Sequence, residues 1–216
     1  NNWNSKVSKT ALTLSTLAEQ LAGYPTSIAM NGIYYKKDVF DKYGLSEPKT
    51  FAEFEEIMAT LKSKGHTPMI VAGKPGWHVM RYVEALIEMY AGSEGHDDLK
   101  AFKTSWDSEP VIKSFAKFKE HMDKGYFPKG FITLGGSDAK SLLYSGDGIM
   151  DIEGPWAESN LFNDKQDPSK YGYFKLPLSS KGNRMSGFVE MIQFKSGLSD
   201  KKLDAAMKFV DYIYSP

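Results

Sequence analysis

Apolar residues recur every three or four positions along several stretches, and short apolar runs separate them. Phe51, Phe54, Ile57, Met58 and Leu61 follow Thr50 and Glu53, whose spacing is that of a capping box, so a helix starts after Thr50 and ends at Lys64-Gly65. The same period predicts helices over Val7 to Leu21, Lys36 to Tyr43, Trp77 to about Tyr90, Ser137 to Tyr144 and after Trp156. It also predicts one over Glu109 to Lys124, with Val111, Ile112, Phe115, Phe118 and Met122 on its apolar face, and one over Ser199 to Tyr214. Strands are expected at Thr26 to Tyr35, Pro68 to Ala72, Gly148 to Ile152, Tyr171 to Leu176 and Phe188 to Phe194. Strands alternating with helices make this an α/β chain.

Composition narrows the function more than the fold. The 216 residues carry 27 Lys+Arg against 27 Asp+Glu, and a net charge of zero argues against a dedicated nucleic-acid binder. The absence of cysteine removes disulfides, thiol nucleophiles and Cys-based zinc sites. No apolar run approaches the length of a membrane span, and no signal peptide stands at the front. The chain begins at Asn1 and not at Met, which suggests a processed or truncated product. Aromatic residues make up 13% of the chain, which supplies either an aromatic-rich core or a surface on which rings stack on a ligand.

Position gives some of those rings an address. The loop Gly73-Lys74-Pro75-Gly76 delivers Trp77 and His78 from a strand to a helix, the place where open α/β sheets put ligands. Trp156 follows a strand end after Gly154-Pro155. Each indole either plugs the core or presents a face to a ligand. Asp151 and Glu153, two apart on a strand, share one face: a hydroxyl-gripping pair, a glycosidase acid and nucleophile, or solvated strand-end charge. His78 bonds a ligand or caps its helix, and Asn31 and Glu190 offer polar contacts or stabilise turns. No histidine spacing or calcium-loop motif indicates a metal, and no cofactor fingerprint is present.

Three blocks carry a family likeness. The first is Tyr24-Pro25, then Asn31-Gly32-Ile33-Tyr34-Tyr35-Lys36-Lys37-Asp38-Val39-Phe40, Gly44-Leu45, Pro48 and Thr50-Phe51, with Lys36 where Asn is usual. The second is Leu142 to Met150 followed by Gly154-Pro155-Trp156, with Asp147-Gly148 in place of Lys-Ala. The third is Pro177, Gly187, Ile192, Ala205-Ala206, Phe209-Val210 and Ser215-Pro216. In order and spacing the chain resembles the sugar-binding, extracytoplasmic solute-binding proteins of bacterial ABC importers, maltose-binding-protein-like in type.

That resemblance implies a periplasmic-binding-protein-like (type II) fold and a chain corresponding to a central fragment of a two-lobed receptor. Residues 1–25 would be an N-terminal helical segment, 26–150 the second lobe, and 151–216 a crossing and returning part of the first. It implies a carbohydrate ligand and a membrane permease as partners, no nucleic acid, a monomer and no enzymatic activity. The location would be extracytoplasmic, in the periplasm or at the cell surface through a lipid anchor on a preceding segment. A sugar presents apolar C–H faces and hydroxyl edges, which flat rings and polar groups recognise. The residue after the Gly-x turn stacks on sugar in this family, and here it is Trp156, with Trp77, His78, Asp151, Glu153, Asn31 and Glu190 as the other expected contacts. The alternatives are a glycan-processing enzyme on an α/β scaffold, or an interaction module without a small ligand.

Overall fold

The computed structural model describes residues 3–17 and 19–215; Asn1, Asn2, Ala18 and Pro216 lie outside the described residues, as does the side chain of Leu17. After a 3-10 turn at Trp3–Lys6 come α1 (Lys9–Leu14), β1 (Thr16–Leu17), β2 (Gln20–Leu21), β3 (Tyr24–Met30) and β4 (Gly32–Lys36). Next are α2 (Lys37–Lys42), α3 (Phe51–Ser63), β5 (Thr67–Ile70), α4 (Trp77–Lys100), α5 (Glu109–Asp123) and α6 (Gly136–Ser145). The chain ends with β6 (Gly148–Glu153), α7 (Trp156–Asn163), β7 (Tyr171–Phe174), β8 (Gly187–Ile192) and α8 (Asp200–Ile213).

These elements form two units. The larger, Asn31–Ser186, is continuous in sequence; the smaller joins Asn1–Met30 to Gly187–Pro216. The divisions differ from those expected after residues 25 and 150. Residue 150 lies within β6, an inner strand paired on both sides, where a cut would sever two ladders.

In the larger unit the strands run in the order β5-β6-β4-β7, with β5 and β6 parallel and the other pairs antiparallel. Every residue of β4 and β6 is buried, so both faces of the sheet are covered. On one face Ile33, Tyr35, Met69, Met150 and Ile152 pack with Phe54, Met58 and Leu61 of α3 and Tyr82 and Leu86 of α4. On the other, Ile70 and Ala72 meet Ala139 and Leu143 of α6 and Leu161 of α7. Helix α3 is capped as expected: the Thr50 hydroxyl accepts from Glu53 N at 3.2 Å. The Glu53 carboxylate reaches back one residue further, accepting from Lys49 N at 2.6 Å.

Helix α4 passes beyond its expected end near Tyr90. Gly92 breaks the helical path with φ 77° and ψ 170°, and the helix then resumes to Lys100. Helix α5 spans its expected residues but buries only part of its expected line, Val111 with Phe118 packed against the core. Val111, Ser114 and His121 are covered, while Ile112, Phe115 and Met122 stay exposed.

In the smaller unit β3 pairs antiparallel with β8, with a register shift between Pro25 and Ser27, where proline supplies no N–H to the ladder. Tyr24 packs edge-on against Trp3 at 4.9 Å. The long helix expected over Val7 to Leu21 stops at Leu14, and β1 and β2 form a short hairpin after it. The Thr13, Ser15 and Thr16 hydroxyls bond back to the carbonyls of Lys9, Ala11 and Leu12, competing with the helical ladder at its last turn. The single strand expected over Thr26 to Tyr35 is two, β3 and β4 in different sheets, separated at Asn31.

Candidate functional site

Beyond Ile70 at the end of β5 the chain runs through Val71 and Ala72 into the loop that opens α4, and beyond Glu153 at the end of β6 it turns into α7. The two strands are parallel and adjacent, so both connections leave the same edge of the sheet. Trp77 begins α4 and Trp156 begins α7. Their rings meet edge to face, centroids 5.4 Å apart at 82°. Both are partly buried.

Gly154 makes the Trp156 position possible. A Cβ there would fall 2.4 Å from the six-membered part of the indole. Any side chain at this turn would displace the ring. The indole Nε1 donates to Glu153 Oε2, which also accepts from Gly154 N at 3.4 Å. Glu153 itself is buried.

His78 fills the corner behind the rings. Its ring lies 3.8 Å from that of Trp77, nearly perpendicular at 86°. Nδ1 accepts from Ala72 N at 3.1 Å, which places the ring proton on Nε2, 3.6 Å from Glu153 Oε1. The side chain neither contacts solvent nor caps its own helix: it ties the end of β5 to the start of α4.

Asp151 shares the face of Glu153, as expected from the strand period, but only 1% of it is exposed. Neither carboxyl oxygen has a hydrogen-bond partner. Burial, with the charge of Glu153 beside it, holds this carboxyl well above the usual carboxylate range. Tyr34 pairs with Asp151 across β4, and burial together with the charge of Glu158 pushes the Tyr34 phenol up to about 12. Tyr34, Asp151, Glu153 and Tyr171 contribute to the walls of a cavity of about 20 Å³, the size of one water molecule.

Five of the seven expected residues, Trp77, His78, Asp151, Glu153 and Trp156, thus come together in the larger unit. Asn31 is the first residue of that unit, next to Gly32, which pairs with Glu153. Its amide is buried with neither end bonded. Glu190 belongs to the smaller unit, where its exposed carboxylate accepts from the Ser27 hydroxyl. Two residues were not expected. Tyr34 and Tyr173 pack edge to face at 5.0 Å, and a Cβ on Gly32 would strike the Tyr173 ring at 2.4 Å. The alternation Gly32-x-Tyr34 and the pair Tyr171-x-Tyr173 hint at this cluster; the cross-strand register that joins it is not local. Among the described residues no group of three or more His, Cys, Asp or Glu side chains converges on a metal position.

A mixed sheet covered on both faces, with two indoles held at the ends of its parallel strands, makes the larger unit an α/β one. A family model for bacterial extracellular solute-binding proteins matches residues 1–216, and the chain belongs to that family. It is 28% identical over 205 residues to the multiple sugar-binding protein of Streptococcus mutans serotype c, a match covering 90% of this chain and 47% of that protein. A solved chitin oligosaccharide binding protein is similar at 27% identity with a TM-score of 0.86, covering 94% of this chain and 52% of the other. The solute-binding protein RafE in complex with raffinose shares the fold at 23% identity and a TM-score of 0.78, over 99% of this chain and 59% of that one. The chain spans about half the length of the curated relatives it matches.

Proposed function

We propose that the full-length protein captures a mono- or oligosaccharide outside the cytoplasm and delivers it to the permease of an ABC importer, binding its ligand without turnover. The observation that carries this is the indole pair, Trp77 and Trp156, seated at the strand ends where an α/β sheet receives ligands. Flat rings of this kind suit the C–H faces of a sugar. The names of the multiple sugar-binding relative and of the chitin oligosaccharide binding protein support the same ligand class.

In this reading the larger unit belongs to the second lobe of the receptor, and the smaller to the first. Trp77 and Trp156 stack on the sugar, and the unbonded side-chain amide of Asn31 reads a hydroxyl; Glu190, in the smaller unit, is a separate candidate polar contact. His78, Glu153 and the buried Asp151 stand behind the rings. The receptor works as a monomer with no nucleic-acid partner, in the periplasm or held at the surface by a lipid anchor. The glycosidase alternative is weakened by the same geometry. Asp151 is buried beneath the surface and Glu153 is engaged by Trp156, so neither is placed to flank a glycosidic bond.

Isothermal titration of the full-length protein against galactose, maltose, raffinose, stachyose, xylo-oligosaccharides and chito-oligosaccharides tests the proposal. Saturable binding of at least one, weakened about tenfold or more by Trp156→Ala, is expected. Heat from none of them, or release of shortened sugars during incubation, would overturn it.

A further inference from the structure

Glu153 lies at the ligand end of the sheet, yet its bonding leaves little of it for a ligand. Oε2 is taken by the Trp156 indole N–H and the Gly154 amide, and Oε1 faces the protonated Nε2 of His78 at 3.6 Å. We propose that Glu153 is a positioning residue: it acts on the sugar only through Trp156, holding the indole by its N–H, while Gly154 leaves room for the ring and His78 braces the carboxylate from behind.

Three independent features support this. The first is directional. An indole on a short turn rotates about two side-chain bonds, and one N–H bond to a fixed acceptor, together with the edge contact to Trp77, leaves it a single orientation. The second is steric. The space over Gly154 is already filled by the ring at 2.4 Å from a would-be Cβ, so the backbone and the acceptor select the same placement. The third concerns the acceptor, which is itself held. Glu153 ends β6, is buried, and has a histidine whose tautomer is set by the Ala72 amide on its other side. The Ala72 amide is bonded to His78 and the Trp156 indole to Glu153, and His78 Nε2 stands 3.6 Å from Glu153 Oε1, a close contact between the two bonds rather than a third. Preorganising the Trp156 ring before a sugar arrives removes part of the ordering cost of binding.

The inference rests on the reading that Trp156 stacks on the sugar, and its test separates the two. Glu153→Leu removes the acceptor, whereas Glu153→Gln keeps an amide oxygen at the same place. The indole N–H resonance of Trp156, assigned by its loss in Trp156→Ala, is recorded in the ligand-free full-length protein, and affinity is measured for the tightest-binding sugar of the panel above. The expected result is an indole resonance that moves in Glu153→Leu and stays near its original position in Glu153→Gln. Affinity should fall about tenfold in the Leu variant and stay within about threefold in the Gln variant. An indole resonance unmoved in Glu153→Leu overturns the positioning role. So does a moved resonance with affinity unchanged, if Trp156→Ala abolishes binding. If Trp156→Ala itself binds normally, the stacking reading falls and this inference falls with it.

Discussion

Asp151 shows what one buried carboxyl does to the pH dependence of the fold. Its ordinary value is 3.8, and burial beside the charge of Glu153 holds it well above that in the folded protein. The folded state therefore binds a proton over a range in which the unfolded state has released it. Stability is undiminished below about 3.8 and declines as pH rises toward the folded value, by at most about 1.4 kcal/mol per pH unit. Asn has the same shape and cannot ionise, so Asp151→Asn should lose this decline. Urea unfolding of both proteins between pH 4 and pH 8, on the order of half-unit steps, checks it: the variant gains on the original chain as pH rises. Parallel profiles would show that Asp151 finds a partner for its charge. The same residue marks a limit of reading by spacing. The period of two correctly placed Asp151 and Glu153 on one face, but their division into an unbonded buried carboxyl and an indole acceptor depends on Trp156, His78 and the register with Tyr34.

Elements bounded by their own side chains were legible in the sequence. Helix α3 follows from Thr50, Glu53 and a regular apolar stripe, and α8 and β6 from equally local signals. What was not legible depends on partners far along the chain. The turn at Asn31 divides two sheets because β3 finds β8 while β4 finds β6, and nothing within Thr26 to Tyr35 announces that exchange. The prolonged α4 is similar, since its break at Gly92 is matched by the loop before β8. The Gly92 Cβ position lies 3.0 Å from Lys181 O, and a Cβ on Gly182 would lie 2.0 Å from Glu88 O, so helix and loop touch backbone to backbone. Arg184 fastens that contact with bonds to both oxygens of Glu88 and both of Asp97. Burial pushes the Glu88 carboxyl up, but Arg184, Ser93 and His96 outweigh it and hold the group down at about 2. Its contribution is thus present above the ordinary 4.5 and is lost as pH falls through about 2. Arg184→Met leaves the buried Glu88 without its cation, and a loss of about 1.5–3 kcal/mol is expected, discounted for the half-exposed guanidinium. Denaturant titration at neutral pH measures it; a change under about 0.5 kcal/mol would mean that His96 and Ser93 suffice for Glu88.

At the scale of the molecule, the two units differ in how far they carry their own cores. The larger unit buries a continuous set from Ile33 through Leu176, on both faces of a four-stranded sheet. Among the described residues of the smaller unit, the buried apolar side chains are Ala11, Pro25, Ala29 and Val210. Its helix α8 leaves Leu203, Phe209 and Ile213 substantially exposed. Ordering a residue costs about 1–2 kcal/mol, and burying one valine returns about 2 kcal/mol. Two alanines, a proline and a valine, with side chains such as Tyr24, Ile28 and Met191 only partly buried beside them, offset little of that cost over the β3–β8 ribbon and two helices. Residues 31–186 are therefore expected to fold when expressed alone, with a cooperative thermal transition and the Trp77–Trp156 contact intact. Residues 1–30 joined by a short glycine-rich linker to 187–216 are expected to give the circular dichroism of a largely unfolded chain. Far-ultraviolet melts of the two pieces, with near-ultraviolet signals for the indole pair, decide the matter. A gradual, non-cooperative melt of 31–186 would show that its core is incomplete without the smaller unit. A cooperative melt of the linked piece would mean that the β3–β8 ribbon and the Tyr24 ring cluster stabilise it far beyond what its buried area predicts.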